Sequence, residues 1–252
     1  MWNLNNKYAL ITGGTKGIGK AAVLELLELG AEVLFTSRTQ KDIDLLLEEL
    51  KQYDKKIHGL VADVTVAEDR QKVHNFIDKI WGKLDILVNN AGINIRKKAN
   101  DYSEEEFRKV MEINLNAPFQ LSRKLHSLLQ KSGSAKIVNM ASSAALQDVG
   151  TGTPYAMSKA GLLQQTRSLA VEWAADGIRV NAVSPWFTVT PLTQGLLSES
   201  DRMDPIIRRT PLKRVAEAGE IASIIAFLAM DKSSYITGQN IIADGGMSIN
   251  AI

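Results

Sequence analysis

The chain has 252 residues, enough to bury a substantial core, and its 30 basic and 28 acidic side chains leave a net charge of +2. That near balance lacks the electrostatic footprint of a nucleic-acid binder. The absence of cysteine excludes disulfides, thiolate catalysis and thiolate zinc sites, and His58, His74 and His126 are scattered without ligand spacing, so no metal is expected. No stretch approaches the roughly 18 uncharged apolar residues of a membrane span. The opening Met1-Trp2-Asn3-Leu4-Asn5-Asn6-Lys7 lacks the basic-then-apolar order of a secretory signal, which predicts a cytoplasmic protein with no membrane partner.

Short β-branched runs alternate with stretches of helical period. Strands are predicted at Tyr8–Thr12, Glu32–Thr36, Ile57–Val61, Leu84–Val88, Lys136–Met140, Ile178–Val183 and Gln239–Ala243. Helices are predicted near 17–29, 40–52, 66–81, 103–131, 154–175 and 217–229. The alternation predicts an α/β fold of three layers, a doubly wound seven-stranded parallel sheet with helices on both faces. No linker or repeat interrupts it, so residues 1–252 are expected to form a single Rossmann-type domain. Between Pro185 and Pro211 the rhythm lapses into a segment carrying Trp186, Phe187 and Leu192. This is read either as a substrate loop or as a pair of short packing helices.

Chemistry is concentrated in three places. Thr12-Gly13-Gly14-Thr15-Lys16-Gly17-Ile18-Gly19 joins the first strand to the first helix, where glycines permit a tight turn and a helix N-terminus attracts phosphate. Its spacing departs from G-x-G-x-x-G, and alone it is also an ordinary strand-to-helix connection. Tyr155 and Lys159 are four residues apart, on one helical face, so the ammonium is expected to favour the ionised phenol. Ser142 lies thirteen residues before Tyr155, at the end of an apolar run.

Together with Asn89-Asn90-Ala91-Gly92 after the fourth strand and Asp244-Gly245-Gly246 near the end, these elements occur in the order of the short-chain dehydrogenase/reductase family, which the chain resembles over almost its whole length. Thr36-Ser37-Arg38, Leu169–Ala174 and Pro185-Trp186 look closest to tropinone reductase-like members, near the 3-oxoacyl-[acyl-carrier-protein] reductases. The resemblance implies hydride transfer between a nicotinamide and a carbonyl carbon, with a small-molecule carbonyl or alcohol as substrate. Tyr155 would donate the proton, Ser142 hold the substrate oxygen, and Lys159 lower the phenol and bind the nicotinamide ribose. Asn114, in Met111-Glu112-Ile113-Asn114-Leu115, matches the position that orders a water linking Lys159 to solvent; it also reads as a polar residue kinking its helix. Ser142 is preferred to Ser143, because one step at a strand end turns a side chain to the other face.

Cofactor contacts implied by the same resemblance are Gly13, Thr15, Lys16, Gly17, Ile18 and Gly19 in the turn, Asp63 and Val64 at adenine, and Asn90, Ala91 and Gly92 behind the ribose. Pro185, Thr188 and Thr190 would lie at the carboxamide. Asn89 is read as structural. Where NAD-binding relatives carry an acid after the second strand, this chain has Ser37-Arg38, and with Lys16 these predict NADP(H). Trp186 stands where the family has glycine, putting the loop's shape in doubt. Trp186 and Phe187 are candidate substrate walls, implying a compact apolar ketone, and Asp148 a candidate contact for a protonated amine or else a solvated loop acid. An acyl carrier would want a basic rim, for which only Lys131, Arg167 and Arg123-Lys124 are candidates. A silent NADP-binding sensor or scaffold is the other-class alternative, opposed by retention of Asn114, Ser142, Tyr155 and Lys159. The long helices near 103–131 and 154–175 resemble those through which relatives form homodimers and homotetramers.

Overall fold

A computed structural model describes residues 2–197 and 200–250. Met1, Ser198, Glu199, Ala251 and Ile252, at the ends of the predicted domain and inside the predicted 185–211 segment, lie outside the described residues. The strands are β1 (Tyr8–Thr12), β2 (Glu32–Ser37), β3 (Ile57–Val61), β4 (Ile86–Asn89), β5 (Ala135–Met140), β6 (Ile178–Pro185) and β7 (Asn240–Ala243). They form one sheet in the order β3-β2-β1-β4-β5-β6-β7, and every pairing is parallel.

Burial explains why these strands read as continuous apolar runs. Ala9 and Ile11 of β1, Val33 and Phe35 of β2, and Ile86 and Val88 of β4 pack into one core. The intervening Leu10, Leu34 and Leu87 pack into the other. Successive side chains point to opposite faces, and helices cover both. Burying each leucine this fully contributes about 1.5–3 kcal/mol. The first core is closed by α1 (Gly17–Glu28) and the nearly all-apolar α9 (Ala218–Ala229). The second is closed by α3 (Ala67–Ile80), α5 (Ala117–Gln130) and α6 (Thr153–Glu172).

Three predicted helices differ in detail. The 40–52 helix stops at Glu49, giving α2 (Gln40–Glu49), and a 3-10 segment follows. The predicted 103–131 helix is α4 (Glu104–Met111), a π-helical segment Glu112–Asn116, and then α5. Pro118, in the first turn of α5, has no N–H to return to the preceding turn, and π segments recur at functional sites. The 154–175 helix ends at Glu172, and Gly177, at φ +71°, turns the chain into β6. The 185–211 segment contains two short helices, α7 (Pro191–Leu197) and α8 (Ser200–Arg209).

The strand order reverses between β1 and β4. In such sheets the crevice at the carboxyl ends of the strands, at that switch point, receives ligands. Thr12, Ser37, Asn89, Met140 and Pro185 end their strands on this edge.

Candidate active site

A cavity of about 430 Å³ occupies that crevice. At one end it is bounded by Lys16, Arg38 and Asp42, and at the other by Ser142, Tyr155, Lys159 and Trp186. Every residue expected to contact the cofactor lines it except Gly19. Gly19 lies beneath the turn. A Cβ there would fall 2.2 Å from the Gly13 carbonyl oxygen and 2.4 Å from Asn90 Nδ2, so only glycine lets α1 approach so closely. Gly13 and Gly17 take φ of +65° and +55°. Asn90 fastens the turn, its Nδ2 donating to the Thr12 and Gly13 carbonyls at 2.9 and 3.1 Å. At Lys16, the N-cap of α1, no side chain accepts from the first turn, which leaves these N–H groups free to meet an anion. The cradle and the uncapped turn fit a pyrophosphate.

The far end of this cavity is solvent-facing. Lys16 pairs with Asp42 at 3.0 Å, and this hydrogen bond, ahead of one from Thr39, lowers the Asp42 carboxyl. Arg38 is exposed on the rim. Asp42 was not anticipated from the sequence; it comes from the start of α2, and no local pattern links it to Lys16. Asp63 folds its Oδ1 onto the Thr65 N–H and hydroxyl at 2.9 and 2.7 Å.

Beneath the end of the cavity that holds Ser142, Asn89 behaves as a sheet tie. Its Nδ2 donates to Asn139 Oδ1 at 2.8 Å and to Ser122 Oγ at 3.1 Å, and Asn139 donates to Thr166 Oγ1 at 2.9 Å. The β4–β5 register sets Asn89 beside Asn139 and makes this buried chain possible.

The strand end separates the two serines. Ser142 faces the cavity that Tyr155 also lines, and its Oγ accepts from Ala144 N–H at 3.2 Å. Ser143 is fully buried on the other side, donating to the Pro185 carbonyl at 3.1 Å. Lys159, from the next turn of α6, is 4 % exposed and donates to the Met140 carbonyl at 2.7 Å, with Nζ 5.7 Å from the Tyr155 ring centre. Burial lowers its pKa to about 8.

The expected depression of the phenol by Lys159 is corrected here. Burial pushes Tyr155 above its ordinary value, opposed by the Ser142 hydrogen bond and by the charge of Arg96. With Lys159 turned to the Met140 carbonyl, desolvation of the phenolate outweighs the influence of nearby donors.

Asn114 sits in the middle of the π segment, fully buried. Its amide clamps Ile93, accepting from the N–H and donating to the carbonyl, both at 2.9 Å, and also donates to Ser158 at 3.2 Å. Both Asn114 Oδ1 and Lys159 Nζ lie against Gly92, 3.2 and 3.6 Å from where its Cβ would be.

Of the candidate substrate contacts, Trp186 meets the cavity, while Phe187 and Asp148 do not. Trp186 lines the cavity, its indole N–H donating to Thr210 at 3.1 Å. Among the described residues only Asn6 and Lys213 carry positive φ without being glycine, so Trp186 needs no glycine-like backbone. Phe187 meets the Trp186 ring edge-on at 4.6 Å but faces a separate depression, so it does not line the cavity. Asp148 is exposed and does not line it either; it closes its own turn by accepting from Gly150 N–H at 2.9 Å. The candidate basic rim is also elsewhere. Lys131 follows the far end of α5 and pairs with Asp78 at the far end of α3, at 3.4 Å, and Arg167 borders a depression with Val171 and Gly238.

A glycine-cradled crevice that converges on Ser142, Tyr155 and Lys159 defines a nucleotide-dependent oxidoreductase architecture. The family whose profile matches residues 13–248 is described as enoyl-(acyl carrier protein) reductase. A tropinone reductase homologue of Arabidopsis thaliana is 44 % identical over 250 residues, covering 99 % of this chain and 95 % of that protein. One from Datura stramonium is 42 % identical over 253 residues, covering 99 % and 94 %. Among solved structures, a gluconate 5-dehydrogenase from Burkholderia cenocepacia, in complex with NADP and tartrate, superposes with a TM-score of 0.94 at 27 % identity, over 99 % and 98 % of the two chains. The chain belongs to the short-chain dehydrogenase/reductase family of oxidoreductases.

Proposed function

We propose that this protein is an NADP(H)-dependent carbonyl reductase and alcohol dehydrogenase that acts on a compact ketone of the kind tropinone reductase homologues suggest. The observation that carries this is the convergence of Ser142, Tyr155 and Lys159 in one cavity with the glycine cradle, Lys16 and Arg38. The cradle would hold the pyrophosphate, Lys16 and Arg38 the 2′-phosphate, Asp63 the adenine, and Thr188 and Thr190 the carboxamide. Lys16 would exchange Asp42 for the phosphate. The NADP in the Burkholderia neighbour supports the same cofactor here.

When bound, the reduced nicotinamide supplies a hydride to the carbonyl carbon. Ser142, whose Oγ accepts from Ala144, can donate its own proton to the substrate oxygen. Tyr155, kept protonated by burial, gives its proton to that oxygen as the alcohol forms. Lys159 is the neighbouring cation below about pH 8. Asn114 Oδ1 accepts one N–H, from Ile93, and keeps a lone pair for a water beside Lys159. Trp186 supplies an apolar flank.

Cofactor oxidation with a panel of cyclic ketones, against a 3-oxoacyl thioester, tests the reading. Turnover of a ketone that vanishes in Tyr155→Phe supports it, whereas silence across both arms would leave the sensor reading. The acyl-carrier alternative has the weaker support, since Lys131 and Arg167 stand away from the cavity mouth. We also propose a cytoplasmic homodimer or homotetramer formed through α5 and α6, from which Phe119, Met157 and Val171 project, Val171 at 82 % exposure. Sedimentation as a monomer would remove that assignment.

A further inference from the structure

Among the described residues, three buried side-chain atoms have no hydrogen-bond partner: Asn94 Oδ1, Arg96 Nε and Thr151 Oγ1. They are not scattered. Asn94 and Arg96 follow directly from Ile93, which lines the cavity, and Thr151 lies four residues before Tyr155. The two segments touch, because Gly152 packs against the Ile95 carbonyl at 3.2 Å from its Cβ position.

The segment carrying Arg96 is held on both sides. Ile93 is clamped by Asn114, the Ile95 carbonyl accepts from the Tyr102 hydroxyl, and Lys97 pairs with Glu106 at the start of α4. A loop fixed this firmly presents Arg96 in a defined place. Yet among the described residues no carboxylate answers the guanidinium. Glu106 is committed to Lys97, and Asp148 is engaged in its own turn. A half-buried cation with an unpaired N–H is costly, and buried polar groups left unpaired in a folded protein call for a ligand. Arg96 stands three residues past Ile93, which lines the cavity, and its segment packs on Gly152, three residues before Tyr155, so a group bound by Arg96 would belong to the molecule whose carbonyl meets Tyr155.

We propose that Arg96 is the specificity-determining residue for a carboxylate carried by the substrate, with the unpaired Thr151 hydroxyl as a second donor, so that the physiological pair is a compact keto acid and its hydroxy acid. The guanidinium fork suits a carboxylate, accepting it through two parallel N–H donors. The substrate is then two-sided, with an apolar flank on Trp186 and an anionic end on Arg96. This rests on the reductase reading above and narrows its substrate class.

The test uses matched pairs, 4-oxopentanoate and 5-oxohexanoate against their methyl esters, with wild type, Arg96→Met and Arg96→Lys. For wild type, kcat/KM for the acids should exceed that for the esters by about tenfold or more, the scale expected when one charge-assisted contact distinguishes two substrates. Arg96→Met should raise KM for the acids about tenfold more than for the esters, abolishing the preference, and Arg96→Lys should recover part of it. Calorimetric titration of 4-hydroxypentanoate into the protein without cofactor gives an independent readout: binding that weakens with salt and is lost in Arg96→Met supports the assignment. Equal kinetics for acid and ester in wild type, or losses in Arg96→Met that are the same for acid and ester, would overturn it and make Arg96 a tuner of Tyr155 instead. If esters turn over and acids do not bind, this inference alone fails. If neither turns over but the hydroxy acid binds through Arg96, the reductase reading fails and the carboxylate site stands. A melting temperature matching wild type shows that Arg96→Met is folded.

Discussion

The two ends of the long cavity solve opposite problems. At the nicotinamide end the polar groups are buried and braced: Lys159 on the Met140 carbonyl, Asn114 on Ile93, and Ser143 on Pro185. Burial lowers Lys159 to about 8 and pushes Tyr155 above its ordinary value, opposite directions at two groups one helical turn apart. At the adenosine end Lys16 and Arg38 stand in solvent, the Lys16 side chain 61 % exposed and paired with Asp42. Charge there is screened and exchangeable. The chemistry therefore depends on single atoms at one end and on summed, salt-sensitive attraction at the other.

The sharpest way to break this contrast is at the phenol. Tyr155→Phe should lower kcat about 1000-fold or more with little change in KM, measured by steady-state kinetics, because a proton donor acts only as charge develops. Next comes the serine pair. Ser142→Ala should cost about 100-fold in kcat. Ser143→Ala should leave kcat within a few-fold but lower stability by about 1 kcal/mol, since it orphans the Pro185 carbonyl, and chemical denaturation would read this. Equal kinetic losses would erase the distinction drawn at the end of β5.

A smaller effect tests the braced cation by pH. Reduction should decline as pH rises through about 8, where Lys159 loses its proton. Stability should move the other way. With the native pKa below the unfolded value, the unfolded chain binds more protons between about pH 8 and the ordinary lysine value of 10.5, so wild type should gain stability there relative to Lys159→Met. Parallel melting temperatures across that window would contradict the assignment. The smallest effects belong to the exposed end. Lys16→Ala and Arg38→Ala should each weaken NADP binding about tenfold at low salt and less at high salt, with NAD little affected; calorimetry at two ionic strengths reads both.

The seven strands, the glycine turn and the Tyr155–Lys159 pair were legible in the sequence because they depend on local pattern: apolar runs, glycines that tolerate a tight turn, and an i,i+4 pair on one helix face. Ser142 was placed by the family resemblance, and the strand order with its crevice came from the structure. The π segment was not, since a one-residue change of helical pitch around Asn114 leaves hardly any periodic trace. Arg96 and Asp42 were missed for a related reason. Arg96 reads as part of the basic run Arg96-Lys97-Lys98, and only the packing of two distant loops shows that it is half-buried while Lys97 and Lys98 are exposed. Phe187 was a candidate for the substrate wall from its neighbours in sequence, but alternation along the chain after β6 turned it away, whereas Asp148, read as either an amine contact or a solvated loop acid, is the loop acid, taken by its own turn.

By itself the sequence determined which backbone would form and which side chains could move a proton, because hydrogen-bonding period and residue chemistry are properties of short segments. Tertiary structure alone decided the ionisation of Tyr155, the partner of Lys159 and the side of the strand end on which each serine works. Those depend on how much water is excluded and on which carbonyl lies within reach, and both are set by segments far apart in the chain.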